Sequence, residues 1–130
     1  MGQPAAKQGD LVTALDTHVF LIPSPGGPVP TPLPSPFSGQ LMLNLSPNVR
    51  IMGLPAATLG SIAVNTPPHL PQGGPFQRPP SNQGRIITGS ATVRINGQPA
   101  ARNGDTAMTC NDPVDLPIGT VVAAGTVLIG

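Results

Sequence analysis

Large aromatic side chains and charged side chains are scarce in this sequence of 130 residues. It contains three Phe and no Trp or Tyr, only 8% of its residues are charged, and all five acidic residues are Asp. The low aromatic content limits the size of any hydrophobic core. A net charge of +1 provides no electrostatic basis for binding nucleic acid.

The sequence also lacks a membrane-spanning run, a secretion signal and a second cysteine. Its longest apolar run, residues 120–129, is too short to span a bilayer and is interrupted by Gly125. No basic region followed by an apolar run opens the chain, which predicts synthesis in the cytoplasm without a signal peptide. Because Cys110 is the single cysteine, an internal disulfide framework is excluded.

Proline and glycine are abundant, with 19 and 16 residues. Such a composition is typical of low-complexity chains, but disorder requires low hydropathy and high net charge. The mean hydropathy here is +0.11 and the net charge is only +1. We therefore expect residues 1–130 to form a single ordered domain.

Three segments of the chain are copies of one another, and they occupy residues 2–10, 53–61 and 97–105. Each contains Pro-Ala-Ala, with Gly two residues before the proline and Gly five residues after it. The matching triplets are Pro4-Ala5-Ala6, Pro55-Ala56-Ala57 and Pro99-Ala100-Ala101. Glycine suits turns with positive φ, and proline fixes the φ that follows. Three matched copies indicate a repeat protein.

Segments rich in β-branched residues accompany these copies and predict short hairpins over residues 39–53, 84–97 and 119–130. The third hairpin lies at the C-terminus, and it completes the first repeat if residues 129–130 meet residues 1–2. The sequence therefore predicts an all-β fold. We expect a small three-fold pseudosymmetric cone of short strands, hairpins and Pro-rich loops, closed by adjacent N- and C-termini.

Two inserts in the repeat, residues 23–36 and 67–80, contain 13 of the 19 prolines. Such segments favour polyproline II, and we expect them to form stiff walls packed against the body. Residues 28–32 alternatively fit a ligand motif for SH3-type domains. Few charged residues flank the inserts, which favours the walls.

The two histidines and the cysteine fall one in each repeat. His18 and His69 each lie nine residues after the glycine that ends a Pro-Ala-Ala turn, and Cys110 lies six residues after it. Three-fold symmetry would bring these residues together, and imidazole and thiolate are preferred zinc ligands. The pattern predicts a metal site at His18, His69 and Cys110. A structural zinc takes four ligands, and the fourth stays open among Asp16, Asp112, Asp115 and water.

These patterns resemble those of PAAR-repeat proteins. The resemblance rests on the three Pro-Ala-Ala segments and on the strands Val49-Arg-Ile-Met-Gly53 and Val93-Arg-Ile-Asn-Gly97. It covers nearly the whole chain and is strongest over residues 92–105. Lys7 and Thr58 stand where the family has Arg, and the long Pro-rich inserts resemble a PAAR-like subgroup.

The resemblance implies a cone that caps the trimeric spike of a contractile injection machine, with one copy of the chain per trimer. Such machines are type VI secretion systems, extracellular phage-tail-like particles and phage tails. The implied role is structural and non-catalytic. The tip sharpens the spike and helps to pierce the target envelope. It is then delivered out of the cell or particle. An effector is a further implied partner, whereas nucleic acid, stable membrane insertion and a fused effector domain are not expected.

Members of this family bind zinc near the cone tip through histidines and a cysteine, and His18, His69 and Cys110 match these ligand positions. The common pattern has three histidines and one cysteine, so one histidine is missing here. The resemblance implies one structural zinc ion. We expect the three hairpins to border the base of the cone.

Two other functions fit part of the sequence. A metal site with three protein ligands and an open position is typical of zinc hydrolases, and an Asp would have to act as the base because Glu is absent. A secreted Pro-rich adaptor would leave the three-fold repeat unexplained.

Overall fold

Strands alone make up the regular secondary structure. The computed structural model describes residues 2–130, and these residues form twelve β-strands and no helix. The strands are β1 Gln3–Pro4, β2 Leu11–Ile22, β3 Val29–Leu43, β4 Arg50–Ile51, β5 Leu54–Pro55, β6 Ile62–Asn65, β7 Gln83–Ile86, β8 Arg94–Ile95, β9 Gln98–Pro99, β10 Thr106–Thr109, β11 Leu116–Val122 and β12 Leu128–Ile129. Across residues 2–130, therefore, no helix has the length and hydropathy needed to cross a membrane. The predicted all-β fold is confirmed.

Six of these strands close into an antiparallel barrel in the order β10-β11-β2-β3-β6-β7, with β7 paired to β10. Each repeat contributes the strand that follows its Pro-Ala-Ala turn (β2, β6 or β10) and one further strand (β3, β7 or β11). Closure pairs the strand edges that an open sheet would expose to other chains. The two longest strands, β2 and β3, continue beyond the barrel as a two-stranded ribbon.

Three two-stranded sheets complete the repeats, namely β4–β5, β8–β9 and β1–β12. In the last of these the two chain ends pair, because Gln3 lies opposite Ile129. The predicted closure by adjacent termini is confirmed for the described residues, and Met1 lies outside them. The turns Met52-Gly53 and Asn96-Gly97 have positive φ at both residues, which is the type I′ geometry of two-residue hairpins.

The hairpins predicted over residues 39–53, 84–97 and 119–130 do not form, because the two strands within each segment pair with other strands. The end of each segment pairs with a strand outside it: β4 with β5 and β8 with β9, each across a two-residue turn, and β12 with β1 at the other end of the chain. Their first strands lie in the barrel wall, where β3 pairs with β2 and β6, and β7 pairs with β6 and β10. Burial is the reason, since Leu41 and Ile86 are 0% exposed in the barrel interior and the wall provides both their packing and the hydrogen bonds.

The Pro-Ala-Ala segments meet in a ring around the pseudo-three-fold axis. The amide of Ala6 donates to the carbonyl of Ala101 at 2.9 Å, that of Ala57 to Ala6 at 3.0 Å, and that of Ala101 to Ala57 at 3.1 Å. All three side chains of this alanine ring (Ala6, Ala57 and Ala101) are fully buried. One hydrogen bond repeated three times confirms the three-fold pseudosymmetry.

The hydrophobic core is a narrow column on both sides of the alanine ring. On one side lie the isoleucines of the three two-stranded sheets and the first alanine of each motif: Ile51, Ile95, Ile129, Ala5, Ala56 and Ala100. On the other side the ring packs against the barrel interior, which includes Val12, Phe37, Leu41, Ile86, Cys110 and Val121. Such a core needs few large side chains, which explains why a chain so poor in aromatics can fold.

Most prolines of the first insert lie within β3 rather than in polyproline II. Pro32 and Pro34 pair with Val19 and Thr17 of β2. The amides of Val19 and Thr17 point away from β3, since they donate to side chains outside the ribbon. The nitrogens of the paired prolines therefore point outward too, where a missing N–H leaves no ladder bond unmade. The outer edge of β3 is thus poor in donors that could pair with another chain.

The second insert, residues 67–80, packs along the other edge of β2. The amide of Leu21 donates to the carbonyl of Pro75 at 2.8 Å, and the amide of Gln77 donates to Val19 at 2.9 Å. Gly74 immediately precedes Pro75 in the chain, and a Cβ atom added to Gly74 would overlap the carbonyl oxygen of Leu21. The insert therefore approaches the strand most closely where it has no side chain.

Gly74→Ala is expected to destabilise the protein by about 2–3 kcal/mol, because the insert would have to move away from β2. Gly26→Ala is the matched control, since a Cβ there has no atom within 4 Å and its φ lies outside the left-handed region. Its effect should stay within about 1 kcal/mol. Urea unfolding measures both free energies. Equal stabilities would contradict the close approach at Gly74.

Candidate metal centre

Asp16, His18, His69 and Cys110 form one buried cluster next to the barrel core. Asp16 and His18 lie on β2, Cys110 directly follows β10, and His69 belongs to the second insert. One ligand atom of each side chain lies within 4.8 Å of those of the other three. The structure thus brings together the three residues predicted as metal ligands and adds Asp16 to them.

Two of the separations between ligand atoms match those around a four-coordinate metal. Cys110 Sγ lies 3.6 Å from Asp16 Oδ2 and 3.7 Å from His18 Nε2. A tetrahedral ion with bonds of about 2.3 Å to sulfur and about 2.1 Å to nitrogen or oxygen holds such atoms about 3.6 Å apart. The 2.9 Å contact between His69 Nε2 and Asp16 Oδ2 is a hydrogen bond that a bound ion would replace. The cluster can therefore hold a divalent metal through two imidazoles, a carboxylate and a thiolate.

Alternation along β2 explains why Asp16 joins the cluster. Successive strand residues face opposite sides, so Asp16 and His18 share one buried face. The spacing of two residues between Asp16 and His18 was the sequence signal for the fourth position. The other two carboxylates considered for it lie elsewhere, because Asp115 is exposed and Asp112 approaches His18 from outside the cluster.

Asp16 is held in place through its second carboxylate oxygen. Asp16 Oδ1 accepts hydrogen bonds from Thr109 Oγ1 at 2.5 Å and from Asn111 Nδ2 at 3.3 Å. Both donor residues are fully buried. Asp16 Oδ2 is left facing His69 and Cys110, so the carboxylate offers one fixed oxygen to a metal.

Burial sets the protonation of two ligands. It lowers the pKa of His18 below its usual value, and the neighbouring His69 lowers it further, while Asp112 and Asp16 oppose the shift. His18 is therefore a neutral imidazole at neutral pH, the form that binds metals. Burial also raises the pKa of the Cys110 thiol to about 11, with a further rise from Asp16. A bound metal would replace the thiol proton.

All three phenylalanines of the sequence lie around the cluster. Phe76 meets His18 edge-on with ring centroids 5.9 Å apart, and Phe20 packs on Phe76 at 4.8 Å. Phe37 lies 6.0 Å from the ring of His69. Such rings exclude water and strengthen electrostatic interactions in the cluster. No pattern in the sequence predicted this arrangement, because the three residues belong to separate segments.

The Pro-Ala-Ala motifs serve the fold rather than the cluster. The residue after each triplet donates its amide to a side-chain oxygen three residues on, in the pairs Lys7–Asp10, Thr58–Ser61 and Arg102–Asp105. This capped turn directs the chain into β2, β6 and β10. The repeated turn thereby fixes the direction of the strands that lead to the cluster residues.

The model of the PAAR motif family matches the chain over residues 22–114 and again over residues 76–130. A search of the curated proteins finds no match. The two family matches include the second and third Pro-Ala-Ala copies as well as His69 and Cys110. Because they extend together over residues 22–130, more than half of its length, the chain belongs to the PAAR motif family.

Proposed function

We propose that the protein is the structural tip of the trimeric spike of a contractile injection machine. The observation that carries this proposal is the alanine ring, in which a single chain makes the same backbone contact three times. A homotrimer ends in three identical surfaces around its axis, and a chain with three-fold pseudosymmetry can contact all three at once. One copy of the chain then caps one trimer.

The three two-stranded sheets (β4–β5, β8–β9 and β1–β12) form the proposed base that meets the spike. Their isoleucines pack on one side of the alanine ring and the barrel core packs on the other, so the base faces away from the metal cluster. Met52, Leu54 and Leu128 are exposed on these sheets and their turns. Exposed apolar side chains gathered at one end of a small protein favour burial against a partner.

The opposite end, which carries the β2–β3 ribbon, is the proposed piercing end. We assign the metal there as one structural zinc ion held by Asp16, His18, His69 and Cys110. When bound, zinc supplies coordinate bonds that join β2, the second insert and the segment after β10. Such bonds stiffen a tip whose core of small side chains is narrow.

Asp16 supports a structural role over a hydrolytic one. It stands where a zinc hydrolase keeps a position for water, and the sequence contains no Glu to act as a base. The proposed life cycle is synthesis in the cytoplasm, assembly on the spike, and delivery with the spike and any effector it carries. Type VI secretion systems, extracellular phage-tail-like particles and phage tails are the candidate machines.

Stoichiometry tests the proposal. Native mass spectrometry after co-expression with a candidate spike protein should give one copy of this chain per three spike chains. Leu128→Glu should weaken the complex at least tenfold, because Leu128 is 60% exposed on the base and its replacement would bury a charge. Leu70→Glu is the matched control, since Leu70 is 70% exposed in the second insert, and it should bind normally.

Two results would refute this arrangement. One is a complex that contains one copy of this chain for each spike chain. The other is an equal loss of binding for Leu128→Glu and Leu70→Glu, which would show that the base has no special part in binding.

A further inference from the structure

His18 has a polar atom that the metal cluster leaves unused. His18 Nε2 faces Cys110 Sγ at 3.7 Å, whereas Nδ1 is buried and has no hydrogen-bond partner among residues 2–130. The nearest carboxylate oxygen is Asp112 Oδ2, at 3.5 Å from Nδ1, slightly beyond hydrogen-bond distance. The side chains of His18 and Asp112 are only 1% and 5% exposed.

Asp112 is fixed beside β2 by contacts on several sides. Its Oδ2 accepts from the amide of Val19 at 2.8 Å, and its Oδ1 accepts from Arg78 Nε at 3.0 Å. Its own amide donates to the carbonyl of Thr17 at 2.9 Å. The carboxylate is therefore held next to His18 by bonds that do not involve His18 itself.

We propose that Asp112 is a positioning residue for the metal centre, which holds the His18 ring with Nδ1 protonated and Nε2 free to bind the ion. The inference rests on the metal centre of the proposed function. A neutral imidazole carries its proton on one nitrogen and a lone pair on the other, so a carboxylate beside Nδ1 assigns the lone pair to Nε2. Carboxylates behind ligating histidines orient the ring in this way and increase the basicity of the ligand.

His69 lacks such a carboxylate. Its Nδ1 lies 3.3 Å from the side-chain nitrogen Nδ2 of Asn65. The backbone N–H of Ser38 donates to Asn65 Oδ1, which orients this side-chain amide with its NH₂ group towards His69. His69 Nδ1 therefore accepts, and Nε2 carries the proton that is donated to Asp16. The two histidines are held in opposite tautomers, and His18 is the one already arranged to bind a metal.

Asp112→Asn tests the role of the carboxylate. Asparagine has nearly the same shape and can still accept from Val19, but it places no negative charge beside His18. Competition with a chromophoric chelator should show a rise of about 10- to 100-fold in the Kd for Zn²⁺. Asp115→Asn is the matched control, because Asp115 is exposed outside the cluster, and its Kd should equal that of the wild type.

Solvent exchange of ring protons separates positioning from a general loss of structure. In the zinc-loaded protein, NMR should show at least tenfold faster exchange of the His18 Nδ1 proton in Asp112→Asn, with the buried backbone amide proton of Ala57 in the alanine ring unchanged. If Asp112→Asn fails to fold, Arg78→Ala replaces it, because Arg78 holds the carboxylate from outside. A severalfold rise in Kd is expected for Arg78→Ala, and an unchanged Kd would then overturn the proposal.

The two proposals fail in different ways. If the wild type binds Zn²⁺ and Asp112→Asn has the same Kd and exchange rates, the role of Asp112 is wrong while the metal centre stands. Faster exchange of the His18 proton and the Ala57 amide alike would also overturn it, because it would indicate general loosening. If the wild type binds no Zn²⁺, the metal centre itself fails, and the role of Asp112 fails with it.

Discussion

With a chelator added, the melting temperature of the protein is expected to fall by roughly 10 °C or more, because a ligand at about 1,000 times its Kd stabilises the folded state by about 4 kcal/mol. A bound ion would join β2, the second insert and the segment after β10, so its removal should be felt in all three. His69→Ala should lower the melting temperature similarly without a chelator, since it removes one of four ligands. Differential scanning calorimetry measures both effects.

The response to chelator distinguishes loss of metal from loss of packing. His69→Ala should melt at the same temperature with and without chelator. Leu70→Ala is the matched control, because Leu70 is the exposed neighbour of His69, and it should behave like the wild type in both conditions. A structural metal would be contradicted by two results together: the wild type contains much less than one metal ion per chain, and the chelator does not change its melting temperature.

Ala57→Leu is expected to destabilise the protein by about 3 kcal/mol or more, the upper part of the range for overpacked cores. Ala57 is 0% exposed in the alanine ring, where its amide donates to Ala6 and its carbonyl accepts from Ala101. A larger side chain would push apart three segments joined by a closed set of hydrogen bonds. Urea unfolding measures the loss of free energy.

The size of the side chain, rather than the substitution itself, should determine this effect. Ala57→Val should lie between the wild type and Ala57→Leu. Ala91→Leu adds the same atoms at an exposed position and should change the stability by less than about 0.5 kcal/mol. If Ala57→Leu were as stable as Ala91→Leu, the alanine ring would have room for a larger side chain, and the close packing inferred there would be wrong.

Much of the fold could be predicted because its signals are local. The Gly-Leu-Pro and Gly-Gln-Pro turns at Gly53 and Gly97 need left-handed φ, and glycine adopts it without strain. Their repetition predicted three equivalent units and a closed all-β body. The spacing of His18, His69 and Cys110 in those units predicted which side chains would meet.

Tertiary structure alone decided the partners of each strand and the completion of the metal centre. The strand that includes Leu41 joins the barrel wall, although its sequence fits a local hairpin equally well. Asp16 reaches His69 and Cys110 across sequence separations of 53 and 94 residues, and Asp112 lies beside His18 after a comparable separation.

The sequence by itself therefore determined the repeat, the turns and three of the four cluster residues, because the turns are local and each of the three residues lies at a short, similar distance after one of them. The register of β2 against its neighbours decided which carboxylate faces the cluster and which stands behind it. A shift of one residue would turn Asp16 outward and Thr17 inward, and the long-range pairing of β2 with β3 and β11 opposes that shift.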